Sequence, residues 1–386
     1  MDFNGDVEEE AHFGDVVLSM AEYAADAETE IFRRERAFSY LMDPSDAARL
    51  CNDRGRSRFV RLRECSRRNQ GFLDLVTLPY VSNIQSRAKE ITTTAAAASS
   101  QGATNSTGGF VLSSQAHMSK VRSTLHQISR EWSSEGREER DTCFSRILTE
   151  LSRHVQPGGK VAVPGCGLGR LVVEIASRGY QAQGSEFSYQ MLLTGDYIMN
   201  RIAEKESHVV HPWIDQASNV KTLEDQVRPV QFPDVTCAEL MHDVHREFLS
   251  ICAGDFEDIY SREENRNQWD AVVCCFFLDT AANICDYLRV ISHMIKPGGA
   301  LISFGPLLWH FQPEHGGPSR AESDQRFHRS VEFTLEDVRR LIISFGFRID
   351  HDESVVDCRY AGNVHSMIKT HFDCQFIVAI KQPLQQ

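Results

Sequence analysis

The chain has 386 residues, 41% of them hydrophobic and 25% charged, with a formal net charge of −13. Such a composition belongs to an ordinary globular protein, and no apolar run approaches the ~20 residues needed to span a bilayer. The acidic balance speaks against a nucleic-acid partner, because phosphate binding depends on clustered Lys and Arg.

The N-terminus, MDFNGDVEEEAHFGD, lacks the basic and apolar layout of a signal peptide, and eleven scattered cysteines fit a reducing compartment better than a disulfide framework. The expected location is the cytosol, with the nucleus also open. Val16, Val17, Met20, Tyr23 and Ala24 fall at helical spacing, and Phe32, Phe38 and Leu41 continue the apolar theme, so 7–90 reads mostly as helix. Within it, RGRSRFVRLRECSRR at 54–68 holds seven arginines beside Phe59, Val60 and Leu62. It reads as a solvated helix face, with a phosphate-contacting patch as the alternative.

Residues 92–109, TTTAAAASSQGATNSTGG, are all small or polar and cannot bury enough surface to offset their ordering entropy, which predicts a disordered linker. The expected organisation is a helical region over 1–91, that linker, helices over 110–154 and one domain over 155–386. In the third segment Met118, Val121, Leu125, Ile128 and Trp132 recur at steps of three and four, giving one buried helix face. Gln127 and Arg130 lie on a neighbouring face.

From 155 onward, short apolar strands alternate with helical stretches, the pattern of a doubly wound parallel sheet. Strand 161–163 leads through glycines to a helix near 170–178, which Gly179-Tyr180 ends. A second strand runs into Glu186. The third, 248–253, ends at Gly254-Asp255-Phe256, and the fourth, 269–277, is near-continuously apolar, as for a strand buried on both faces. A helix around 283–295 ends in the turn Lys296-Pro297-Gly298-Gly299, before a fifth strand over 300–304. Thr334-Leu335-Glu336-Asp337 predicts a capping box, Gly346 ends that helix, and strands 347–351 and 374–380 close the sheet as an antiparallel edge pair.

Ligands of such sheets bind at the carboxyl ends of the strands. Gly165, Gly167 and Gly169 allow tight turning and let a ligand approach bare backbone. Arg170 stands where a dinucleotide fingerprint has its third glycine, so the loop resembles the S-adenosylmethionine loop of Rossmann-like methyltransferases. Glu186 suits ribose hydroxyls, and Asp255 and Phe256 suit an adenine amino group and ring. Cys274 and Cys275 read as core thiols near the adenine. The glycine loop, strand-two acid, Gly-Asp-Phe and Lys-Pro-Gly-Gly, in that order, are more specific than any one of them and predict a methyltransferase fold. Asp279 and His310 would share one mouth of the sheet if strands four and five are neighbours. Alternatively, Asp279 caps a helix near Ala281 and His310 is a satisfied histidine beside Trp309. His242-x-x-His245 has no C-x-x-C companion and reads as solvent-facing, so no metal is expected.

The strings PGCGLGRL, GSEFSYQMLL, PWIDQASN, RPVQFPDV, AGDFEDIY, CCFFLDTAANICDYL, KPGGALISFGPLLWHF and KVRSTLHQISREWS resemble the eukaryotic carnosine N-methyltransferase family over residues 115–386. The resemblance implies an α/β fold, a Rossmann-like class I methyltransferase sheet with a helical N-terminal region. It also implies methyl transfer from S-adenosyl-L-methionine to an imidazole nitrogen of carnosine, giving anserine. It assigns Gln127, Arg130, Gly165, Gly167, Gly169, Glu186, Asp255 and Phe256 to the cofactor, with Cys274 and Cys275 not distinguished. Asp279, with Phe276 beside it, and His310 match the substrate pocket, Asp279 and His310 in the catalytic roles. The expected mechanism is in-line displacement, with Asp279 accepting the imidazole N–H and fixing its tautomer.

Two departures from the family stand out. Val163-Pro164 replaces the acid that often precedes methyltransferase glycine loops. Thr370-His371-Phe372-Asp373 replaces a tyrosine-rich substrate-contacting stretch, leaving His371 and Phe372 as the contacts there. The expected partner is a small imidazole dipeptide, with a histidine-containing peptide or protein as the alternative acceptor and a catalytically silent binding protein as a third reading. No nucleic-acid or membrane partner is expected, and oligomeric state stays open, a homodimer among the options.

Overall fold

The computed structural model describes residues 6–41, 43, 45, 46, 54–98, 115–312 and 325–383. They fall into two units: Met1–Ser129 with Glu206–Pro233 and Asn363–Ile368, and Arg130–Lys205 with Asp234–Gly362 and Lys369–Gln386. The helical region is thus discontinuous, drawing in two segments expected to lie within the C-terminal domain.

In the first unit the helical spacing of the sequence becomes packing. Helices α1 (Val7–Ala21), α2 (Tyr23–Arg36), α3 (Arg54–Ala98) and, up to Ser129, α4 (Gln115–Trp132) are accompanied by the short α8 (Leu223–Val227) and an antiparallel pair, β3 (His208–Val210) and β4 (Val230–Phe232). Val16, Val17 and Met20 of α1 are buried, as are Leu62 and Leu73 of α3 and Val121, Leu125 and Ile128 of α4. Phe32, expected to continue the apolar face, is exposed instead. The Asn69 side chain joins helix to strand, donating to the Tyr23 hydroxyl and the His211 carbonyl (both 3.0 Å) and accepting from the His211 N–H (2.7 Å).

Two arginines of the arginine-rich segment are ion-paired within this unit. Arg63 binds Glu28 and Glu35, Arg61 binds Glu224, and Arg58 donates to Gln226, while Phe59 and Leu62 are buried and Val60 is exposed. Helix α3 continues to Ala98, so the first residues expected in the linker are helical; 99–109 lie outside the described residues.

The second unit is built on a seven-stranded sheet: β1 (Lys160–Pro164), β2 (Gln181–Glu186), β5 (Leu249–Ala253), β6 (Trp269–Cys275), β7 (Ile295–Gly305), β8 (Phe347–Cys358) and β9 (Phe372–Lys381). The order is β5-β2-β1-β6-β7-β9-β8, parallel from β5 to β7 and antiparallel at β9 and β8. This is the Rossmann-like architecture with its closing antiparallel pair, and β6 and β7 are neighbours. The topological switch lies at β1, between β2 and β6, where a ligand site is expected.

Helices α5 (Arg137–His154), α6 (Arg170–Ala176), α7 (Tyr189–Arg201), α9 (Cys237–Leu240), α10 (Phe256–Tyr260), α11 (Ile284–Met294) and α12 (Leu335–Ser344) complete the unit. Leu288, Ile291 and Met294 of α11 and Val338 and Ile342 of α12 join Val272, Cys274 and Leu301 of the sheet in one apolar core. The capping box at α12 forms as expected between Thr334 and Asp337. The Lys296–Gly299 stretch is not a turn before β7. It lies inside that strand as a bulge, where Trp269 faces Ile295 and Ala271 faces Ala300.

Candidate active site

Strand β1 ends in Pro164, and the chain reaches α6 through three glycines in the left-handed region, Gly165 (φ 62°), Gly167 (φ 57°) and Gly169 (φ 83°). Side chains there would be strained. Each bare Cα is also closely covered. A Cβ on Gly165 would fall 2.5 Å from the Phe277 ring, one on Gly167 2.5 Å from Glu131 Oε1, and one on Gly169 3.0 Å from Met199 and Ile251.

The loop meets the strand-two acid. Glu186 Oε2 accepts from the Gly167 N–H at 2.9 Å and Oε1 from the Ser188 N–H at 2.8 Å. The Gly254 N–H donates to the Glu186 carbonyl at 3.0 Å, which brings the end of β5 alongside. There Asp255 caps α10, accepting from the Glu257 N–H. The Phe256 ring corrects the sequence expectation. It is only 4% exposed, packed against Phe277 (5.3 Å), Tyr287 (5.1 Å) and Tyr260 (5.5 Å), and has little face left for a nucleobase. Phe187, directly after Glu186, is 47% exposed, and the Arg326 guanidinium lies 5.9 Å from its ring centroid.

Strand alternation separates the two cysteines. Cys274 is fully buried in the apolar core, where desolvation pushes its thiol up. Cys275 points to the other side. A hydrogen bond from Cys143 holds its thiol below the usual value, with Arg130 acting in the same direction.

Arg130 itself is buried. Its Nε donates to Glu139 at 2.7 Å, and its guanidinium lies 4.7 Å from the Tyr360 ring centroid and 5.5 Å from that of Phe276. Desolvation opposes its charge, but Cys143, Tyr360 and Glu139 together hold its pKa above the ordinary value. Glu139 also accepts from the Ala361 N–H at 2.8 Å, fixing the Tyr360 segment. Phe276 follows β6 with φ 54°, a strained value for an aromatic residue at a strand end. Gln127 is buried one turn earlier on α4, within the first unit.

Next to Arg130, Glu131 is 4% exposed. Its carboxylate accepts from the N–H groups of Leu168 (3.1 Å) and Arg170 (3.3 Å) and lies 3.8 Å from Arg130. Burial pushes this carboxyl up, while Arg130 and the two N–H groups pull it down. Trp132 donates to the Leu168 carbonyl at 3.1 Å, so both residues hold the glycine loop.

At the ends of β6 and β7, Asp279 is 2% exposed; its Oδ2 accepts from the Leu308 N–H at 2.9 Å, and its carbonyl accepts from the His310 N–H at 3.0 Å. The pair therefore shares one mouth of the sheet. Burial pushes the Asp279 carboxyl above its ordinary value, with the Leu308 N–H and His310 opposing. Asp279 does not cap the following helix, because Asn283 does. His371 and Phe372 stand at the start of β9, which runs antiparallel to β7 and so begins at this same end of the sheet, with Gln375 opposite Gly305. His371 is half-exposed with Nδ1 3.6 Å from Asp357, and Phe372 opens β9 opposite Cys358.

Sequence reading missed Glu131, Glu139, Phe277 and Tyr360. The absence of an acid at the end of β1 was the one available pointer to Glu131. Among the described residues no cluster of His, Cys, Asp or Glu could hold a metal ion, and no helix is long and apolar enough to cross a membrane.

The family model described as carnosine N-methyltransferase matches residues 109–383. The chain is 32% identical to carnosine N-methyltransferase of Rattus norvegicus over 379 residues, 97% of this chain and 86% of that protein. It is 40% identical to the Schizosaccharomyces pombe protein of the same name over 258 residues, 65% of this chain and 68% of the relative.

Proposed function

The chain belongs to the carnosine N-methyltransferase family, and from that premise we propose that it methylates an imidazole nitrogen of carnosine with S-adenosylmethionine, giving anserine. One observation carries the reading. Gly167, Glu186, Asp279 and the His310 segment stand at the carboxyl ends of β1, β2, β6 and β7 in one parallel array.

The residues present fit this cofactor. A dinucleotide needs loop N–H groups turned towards its pyrophosphate. Here those of Leu168 and Arg170 donate to a carboxylate, which repels phosphate and suits a ligand whose amino-acid end carries an ammonium group. Glu186 suits the ribose hydroxyls.

When bound, S-adenosylmethionine supplies an electrophilic methyl group. The chain supplies alignment and electrostatics. Neutral imidazole presents a lone pair on one nitrogen and a proton on the other. Asp279 accepts that N–H, which fixes the tautomer and stabilises positive charge as it develops on the ring. Leu308 holds one carboxylate oxygen in place. His310, tied by its backbone to Asp279, orients the rest of the dipeptide. Tyr360, its ring tilted against that of Phe276, provides the phenol that the 370–373 segment lacks.

The test is incubation with methyl-labelled S-adenosylmethionine and carnosine, with a histidine-containing peptide in parallel. Label on a ring nitrogen of carnosine, located by NMR, supports the reading. Label confined to the peptide, or to the amine of carnosine, overturns it.

A further inference from the structure

Strand β1 ends in Val163-Pro164 and offers its glycine loop no carboxylate, yet the loop holds one. Glu131 reaches it from the last turn of α4 and accepts from Leu168 and Arg170. Its Oε1 stands 2.5 Å from where a Gly167 Cβ would be, so that glycine is needed for the carboxylate as much as for any ligand.

The attachment is built rather than incidental. Trp132 donates to the Leu168 carbonyl, and the Arg170 guanidinium donates to the Glu131 carbonyl at 3.1 Å and to Asp234 at 2.7 Å. Arg140 holds the same Asp234 and donates to the Arg130 and Ser133 carbonyls. Two buried arginines thus hold the helix end that carries Glu131, while Glu186 holds the Gly167 N–H from the other side.

We infer that Glu131 is a positioning residue: its carboxylate sets the glycine loop for the amino-acid end of the cofactor. The inference rests on the S-adenosylmethionine reading above. A loop held at Gly167, Leu168 and Arg170 presents fixed backbone to the methionine portion, while the adenosine portion is read at Glu186 and the end of β5.

Calorimetry on the full chain with two ligands tests this. S-adenosylhomocysteine carries the amino-acid end, and 5′-methylthioadenosine lacks it. In Glu131→Gln, S-adenosylhomocysteine should bind at least about tenfold more weakly, since a charge-assisted contact is lost. Methylthioadenosine should bind as in the wild type. Equal loss for both ligands, or no loss for either, overturns the inference. Should Glu131→Gln fail to fold, Glu131→Asp keeps the charge but shortens its reach, and the same selective loss is expected; a uniform loss overturns it. A wild-type chain that binds neither ligand would overturn the cofactor reading itself, and the inference with it.

Discussion

The guanidinium of Arg130 lies 4.7 Å from the ring centroid of Tyr360, and that ring lies 4.7 Å from Phe276. Tyr360 is 40% exposed, so this cation–ring contact contributes about 0.5–1 kcal/mol. The ring of Tyr360 joins a residue expected at the cofactor to one expected at the substrate. Tyr360→Phe keeps the ring and removes the hydroxyl. The expected outcome is a KM for carnosine about tenfold higher, the cost of one lost hydrogen bond, with KM for S-adenosylmethionine unchanged. Tyr360→Ala should raise both. Steady-state kinetics with each substrate varied in turn checks the split, and an unchanged carnosine KM in Tyr360→Phe removes the phenol from the site.

Asp279 should trade stability for activity. Its folded pKa is raised by burial, so folding opposes its ionisation. The cost is absent below the ordinary carboxylate pKa, where both states are protonated, and is complete once pH has risen through the folded value. Asn removes the charge and can keep the bond to Leu308. Asp279→Asn should therefore melt at a higher temperature than the wild type near neutral pH, with the difference vanishing in acid. Turnover should fall about 10²–10³-fold, as for loss of one preorganised electrostatic partner. Thermal scans across pH and single-turnover rates test the two halves separately.

The glycines of the loop should differ sharply from a glycine outside it. Gly167→Ala places a Cβ against Glu131 at a φ of 57°, so backbone strain of about 1–2 kcal/mol adds to displacement of the carboxylate. Gly158 has a φ of 83° and nothing within 4 Å of its missing Cβ. Gly158→Ala should show the strain alone in urea unfolding and bind S-adenosylhomocysteine normally. Gly167→Ala should lose both stability and affinity.

Legibility followed locality. The strand-glycine-helix turn, Glu186 and the edge hairpin are written in contiguous stretches, and each forms where its pattern stands. The bulge at 296–299 was misread because Pro-Gly-Gly breaks a strand as readily as it bulges one. Glu131 and Tyr360 act on segments 37 residues away, at Leu168, and far along the chain, at Arg130, and periodicity carries no trace of such contacts. Strand β8 also outruns its expected end at 351 and reaches Cys358, which delivers Tyr360 to Arg130 and leaves the 370–373 segment at the start of β9.

The two histidines at this sheet end differ in what holds them. His310 has its backbone N–H bound to the Asp279 carbonyl, whereas His371 pairs with Asp357, a residue 85% exposed. An exposed pair of this kind contributes no more than about 1 kcal/mol to stability. His371→Ala should keep kcat and both KM values within about twofold of the wild type, a change too small to represent a lost charged hydrogen bond. His310→Ala should raise the carnosine KM by about tenfold or more by the same measure. If instead His371→Ala impairs carnosine turnover while His310→Ala does not, the acceptor lies towards the β9 side of this sheet end, and His310 has no part in holding it.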